Sequence, residues 1–190
     1  MTNKIYGIDY LRRRLADKQT RVLLRYKYYE MKNNAQDFSS LAPEKFKGLK
    51  ETVGWCAKAV DSLADRLQFD EFQNDEFNLS EIFLSNNQDI LIDSAVLSAL
   101  ISACSFVYIR EDNGYPRLQV IDGSNATGII DPVTNLLTEG YAVLERDSMD
   151  IVKTEAYFMA GMTEIYSWCA CSAYTKRCTI CTARADNISS

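Results

Sequence analysis

Apolar residues recur at helical spacing through the first hundred positions and alternate with polar ones after that, so the chain predicts helices first and strands second. From Ile8 to Met31 there is no Gly or Pro, and Tyr10, Leu11, Leu15, Val22, Leu24, Tyr28 and Tyr29 fall at roughly helical intervals among charges. This predicts one helix, whole or broken. Asn33 and Asn34 open a loop that runs through Phe38, Ser39 and Ser40, and Pro43 followed by Glu44 suits the first turn of a second helical region. In Val53 to Leu67 the apolar residues Val53, Cys56, Val60, Leu63, Ala64 and Leu67 lie along one stripe, which turns Asp61, Asp65 and Arg66 elsewhere. Asn78 or Ser80 is placed to cap a short helix through Ile82, Phe83 and Leu84, ended by Asn86 and Asn87. A longer helix, from about Asp89 to Cys104, carries Ser94, Ser98 and Ser102 in one four-residue row and Ala95, Ala99 and Ala103 in the next. Rows of small residues let a neighbouring backbone come close. The hydroxyls are expected to bond back to their own helix rather than to form a polar site.

The period then changes. Phe106 to Arg110 reads as a strand, Asn113-Gly114 as a tight hairpin turn, and Arg117 to Ile121 as the returning strand. Asp122-Gly123-Ser124 turns the chain again. Ala126 to Ile130 and Leu137 to Arg146 predict a second hairpin around Asp131 to Asn135, and Ile151 to Phe158 predicts a fifth strand. The expected fold is α+β, with N-terminal helices to about residue 105 and an antiparallel β-meander after them. Residues 1–158 form the expected folded region. Beyond Tyr166 the periodicity fades, and residues 159–190 are expected to be a Cys-rich tail, either disordered or non-native coding after a frameshift or assembly error. An intact frame across this region in the source nucleic acid excludes the frameshift.

Composition narrows the chemistry. The 190 residues contain no histidine, which removes the commonest general base and the usual serine and cysteine nucleophile pairs. The eight glycines are scattered and form no phosphate-binding loop. Asp70, Glu71, Asp75 and Glu76 lack the spacing of a calcium loop and read as a solvated linker. Of six cysteines, Cys56 and Cys104 sit in helical patterns and are expected to be buried thiols. The other four, Cys169, Cys171, Cys178 and Cys181, are spaced C-x-C-x6-C-x2-C, a weak match to a structural zinc site. No catalytic, cofactor-binding or metal-binding residue is assigned, and no cofactor is expected. The most hydrophobic run, Ala95 to Ile109, is shorter than the roughly 20 residues of a membrane span, and the N-terminus does not read as a secretory signal.

Charge divides the chain. Residues 1–50 carry 12 basic and 5 acidic side chains (net +7), whereas residues 51–150 carry 5 and 18 (net −13). The basic segment Arg12 to Lys32 is the footprint of a nucleic-acid contact, or else a solvated helix face paired with acidic neighbours.

The order of these pieces resembles the portal proteins of tailed bacteriophages, the rings at the head vertex through which DNA is packaged. Arg25-Tyr26-Lys27-Tyr28-Tyr29-Glu30 is similar to that family's R-x-x-x-Y-Y segment, and Trp55 to Leu67 to its W-x-x-x-x-V-D-x-L-A-x-R-L helix. Ser105 to Ile109 looks like its helix-to-strand passage, Gly114 to Leu118 like its hairpin, and Asp131-Pro132-Val133-Thr134 like a D-P-x-T turn. The likeness covers about Tyr10 to Asp147 and implies the N-terminal part of the wing region. The stem, clip and channel loops would follow in further sequence, so no DNA-contacting or terminase-contacting residue is carried over.

The resemblance implies a virion protein, assembled in the host cytoplasm, without catalysis of its own. Its partners would be a homo-oligomeric ring (a dodecamer by analogy), terminase, capsid and head-completion proteins, and channel DNA, with no membrane. The alternatives are a small nucleic-acid-binding module built on the basic helix, and a zinc-stabilised interaction domain.

Overall fold

The computed structural model describes residues 5–32, 54–168 and 177–184. The chain is mixed α+β, with four helices and two antiparallel sheets among the described residues. It divides into two compact units, Met1–Gln19 with Ser124–Ser190, and Thr20–Gly123. No helix among the described residues is long and apolar enough to cross a membrane.

Helix α1, Ile8–Tyr29, is unbroken, as expected for a run rich in Leu, Arg and Lys with no Gly or Pro. Its residues to Gln19 belong to the first unit. There they lie with a five-stranded meander of β3 (Ala126–Ile130), β4 (Leu137–Arg146), β5 (Val152–Met159), β6 (Met162–Trp168) and β7 (Arg177–Arg184), in that spatial order. Leu11 and Leu15 bury their side chains with Tyr141, Val143 and Tyr157 in the core of this unit. Leu11 is completely buried, worth about 2 kcal/mol in apolar transfer alone. Lys18 adds a polar tie, donating from Nζ to the carbonyl of Ala126 at 2.6 Å.

The second unit contains the rest of α1, α2 (Trp55–Ala64), α3 (Leu79–Ser85), α4 (Gln88–Ser102) and the ribbon of β1 (Ser105–Asp112) and β2 (Tyr115–Asp122). Asn113 and Gly114 both take positive φ, 54° and 77°, as the two-residue primed turn between β1 and β2 requires. The ribbon is a sheet of its own rather than the start of one continuous meander, a correction to the expected topology.

Other expectations need correcting. The sheet does not stop at residue 158. Met159 pairs with Met162 around a two-residue turn in which Gly161 has φ 76°, so β6 continues the meander into the expected tail. Strand β7 pairs with it in turn. The stripe of α2 is also rotated. Its inward side consists of Ala57, Val60, Asp61 and Ala64, whereas Cys56, Leu63 and Leu67 are exposed. Small Ala57 and Ala64 allow α2 and α4 to pack closely, and Asp61 turns inward because the Tyr29 hydroxyl donates to it at 2.8 Å. Cys56 is therefore not a buried thiol, and Cys104 is only partly covered. The short helix α3 is capped by Asp75, whose carboxylate accepts from the amides of Leu79 at 2.6 Å and Ser80 at 2.8 Å, and not by the side chain of Asn78 or Ser80. The second helical region expected from Pro43 lies outside the described residues.

Candidate functional site

The densest polar arrangement is one the sequence reading passed over, a lattice of glutamates and tyrosines on one face of the five-stranded sheet. Tyr141 of β4 lies directly opposite Tyr157 of β5. Two residues before each comes a glutamate, Glu139 and Glu155, which the two-residue period of a strand puts on the same face. Both glutamates are nearly buried, 4% and 3% exposed. Each tyrosine reaches diagonally across the ladder: the Tyr157 hydroxyl donates to Glu139 at 2.7 Å, and the Tyr141 hydroxyl donates to Glu155 at 2.6 Å. A third pair follows on β6, where the Tyr166 hydroxyl donates to Glu164, and in the β5–β6 ladder Glu155 faces Tyr166 while Tyr157 faces Glu164.

The start of α1 completes the arrangement. The backbone amides of Tyr6 and Gly7 donate to the two oxygens of Glu139 at 2.8 and 2.9 Å, just before the helix begins at Ile8. Helix N-termini leave amides without partners and favour negative charge, and a carboxylate on β4 supplies both needs. Arg12, one turn further along, donates from Nη2 and Nε to Glu155 and from Nη1 to the exposed Asp9 at 2.8 Å. The two carboxylates thus clamp the helix to the sheet at two points.

Protonation in the lattice is pushed away from neutrality. Burial works to raise Glu139, but the hydrogen bonds from Tyr6, Tyr157 and Gly7 outweigh it and hold the carboxyl below its ordinary value. Burial and the hydrogen bond to Glu155 push the Tyr141 hydroxyl up, and burial with the hydrogen bond to Glu139 does the same for Tyr157. Burial opposes the charge of Arg12, yet its hydrogen bond and ion pair with Glu155 leave it more firmly protonated than usual. General acid–base chemistry needs a group poised near the working pH, and these shifts go the opposite way. The shifts favour a charged Glu139 and a charged Arg12 beside neutral Tyr141 and Tyr157.

The second unit has a groove of about 540 Å³ between α4 and β2, with Tyr26 and Tyr29 of α1 and Glu30 just after it also contributing. Ser98 is buried and accepts from the Tyr26 hydroxyl at a long 3.5 Å. Burial pushes that phenol up, against the effect of the Ser98 contact. Ser102 bonds back to the carbonyl of Ser98 at 2.8 Å and on to that of Cys104 at 2.5 Å, so this end of the serine row acts as helix packing.

The remaining candidates are scattered. Arg13, Arg14, Arg21, Arg25 and Lys27 are exposed along α1, but Arg12 is committed to Glu155 and does not belong to a solvent-facing basic surface. Asp70, Glu71, Asp75 and Glu76 precede α3, where Asp75 serves as its cap, and no three potential ligands gather to hold a metal among the described residues. The side chains of Cys169, Cys171, Cys178 and Cys181 lie outside the described residues. The lattice had a signal in the chain: Glu-x-Tyr occurs at 139–141, 155–157 and 164–166, each time within a strand. No known protein family matches this chain, and no curated protein is significantly similar to it.

Proposed function

We propose that the chain is a structural, ring-forming subunit of the phage portal type, a component of a DNA conduit with no active site of its own. The observation that carries this reading is the open apolar side of α2. Trp55 and Leu63, with Leu67 just past the end of the helix, are 76%, 52% and 51% exposed, although the surrounding sequence is the stretch that most resembles the portal family. An uncovered apolar stripe on a packed helix marks a protein contact, and interfaces between permanent subunits are the most apolar class. The order of elements supports the same reading: the Trp55 helix, the small-residue helix α4, the Asn-Gly ribbon and the Asp131-Pro132 turn follow one another as the resemblance expects.

The test is assembly of the product of the complete reading frame, followed by light scattering and negative-stain microscopy. Rings that are lost in a Trp55→Glu, Leu63→Glu variant with unchanged circular dichroism support the proposal. A parent protein that stays monomeric at every concentration refutes it.

A second reading, nucleic-acid binding through α1, is favoured by the exposure of Arg13, Arg14, Arg21, Arg25 and Lys27. It predicts salt-sensitive DNA binding that weakens when Arg13, Arg14 and Arg21 become Ala. Arg12 has no place in that variant, because its loss acts on the fold.

A further inference from the structure

Two surfaces of the second unit carry opposite charge, and each lacks a partner within the chain. The first is one side of the last turns of α1. Arg21, Leu24, Arg25 and Tyr28 follow the spacing i, i+3, i+4, i+7 and so share that side, while Val22 is buried on another. Leu24 and Tyr28 are 48% and 50% exposed, and neither arginine forms an ion pair with a described residue.

The second is a hollow of about 360 Å³ between the end of α2 and α4, whose lining includes Asp61, Asp65, Leu67, Asp93, Val96 and Leu97. The Tyr29 hydroxyl engages Asp61, but the carboxylates of Asp65 and Asp93 have no partner among the described residues. No Lys or Arg lines the hollow, and from Leu67 to Ile109 the chain has seven acidic side chains and no basic one. Val96 and Leu97 make part of the lining apolar, and the half-exposed Leu67 joins the hollow to the open side of α2. Carboxylates beside apolar surface suit an arginine, whose methylene stem packs while its guanidinium donates. The α1 side offers two arginines with apolar residues between them. Charge and apolar character match, yet within one chain the two surfaces leave each other unpaired.

We propose that the Arg21–Tyr28 side of α1 in one subunit docks on the Asp65–Asp93 hollow of another copy of this chain. Arg21 and Arg25 donate to Asp65 and Asp93, and Leu24 and Tyr28 cover Leu67 and the adjoining apolar side of α2. The contact rests on the ring-forming role proposed above and names the surface that meets α2. Joining one surface to a different one is a heterologous contact, the kind that repeats around a ring.

Sedimentation equilibrium of the full chain tests this, with charge reversals on each side. Arg21→Glu with Arg25→Glu, and separately Asp65→Lys with Asp93→Lys, should each weaken self-association by at least roughly tenfold, because like charges then face one another. Mixing the two variants brings opposite charges together and should restore association to within roughly threefold of wild type. All four positions are exposed, so circular dichroism should be unchanged. Raising the salt from about 0.05 M to about 0.5 M should weaken association of the wild type, a readout that needs no variant to fold. Wild type that associates independently of salt, reversal on either side that leaves association unchanged, or variants that stay apart when mixed overturns this contact and leaves the ring reading standing. Wild type that is monomeric at every concentration overturns both.

Discussion

Replacing Arg12 by Ala should be one of the most destabilising single changes on α1. Glu155 is 3% exposed, and the described groups that donate to its carboxylate are the Arg12 guanidinium and the Tyr141 hydroxyl. Truncating Arg12 leaves a buried carboxylate with one neutral donor. Breaking a buried ion pair in this way costs about 3–5 kcal/mol. The Tyr141 bond remains and the Arg12 side chain is 23% exposed, so the lower end applies, about 3 kcal/mol. The contact with Asp9, 79% exposed, adds next to nothing. The assay is urea unfolding at neutral pH, with Arg13→Ala as the exposed neighbour that should change stability by no more than about 0.5 kcal/mol. Changing the partner as well, in Arg12→Ala with Glu155→Gln, removes the stranded charge and should recover much of the loss. If Arg12→Ala and Arg13→Ala unfold within about 1 kcal/mol of each other, or if the double variant is weaker than the single one, the clamp does not hold the helix in the way described.

Four further outcomes follow from the geometry. Because the Glu139 carboxyl is held below its ordinary value in the folded protein, its contribution is present above the unfolded value near 4.5 and fades as pH falls through the folded one; Glu139→Gln should flatten the loss of stability in that acidic range, and an unchanged acid-unfolding curve contradicts the assignment. Asp75→Ala should speed hydrogen exchange at the amides of Leu79 and Ser80 while leaving α4 protected, and equal protection in the variant would mean that the cap is not made in solution. Ala103 ends α4 with φ 69°, a conformation that costs an alanine roughly 1 kcal/mol, so Ala103→Gly should raise the thermal midpoint, and a lowered one counts against this geometry. A Cβ on Gly123 would meet Ser102 Oγ at 2.7 Å and Cys104 Sγ at 2.8 Å, so Gly123→Ala should cost about 1–3 kcal/mol in chemical denaturation; a neutral substitution shows that the Ser102–Cys104 turn is looser than drawn.

The local elements could be read from the chain because their signals are local. The absence of Gly and Pro from Ile8 to Met31 is enough for α1, and Asn113-Gly114 between two alternating runs is enough for the first hairpin. The Asp131 to Asn135 turn was legible for a similar reason: Asp131 accepts from the amide of Val133 at 2.9 Å, a bond between near neighbours. Strand β6 was not legible: Thr163-Glu164 and Ile165-Tyr166 break the alternation, and the strand is fixed by its pairing with β5 across the Gly161 turn. Nor was the inward side of α2. A helix with apolar residues on more than half its surface has more than one plausible packing side, and the bond from Tyr29, 32 positions away, selects the side that carries Asp61.

The sequence by itself determined where helices and strands form, that they fall in α+β order, and that no histidine-based chemistry is open to this protein. Those properties depend on side-chain period, turn residues and composition, all of which act within a few positions. Only the tertiary structure decided which charges are structural. Arg12 reads like Arg13 and Arg14 in the chain, yet it alone meets Glu155, 143 positions away, and Glu139 meets the amides of Tyr6 and Gly7 across a similar distance. Such pairings depend on the sheet bringing β4 and β5 side by side beneath the first turns of α1, which no local pattern specifies. The pairing changes a basic run into one buried clamp beside a row of exposed cations.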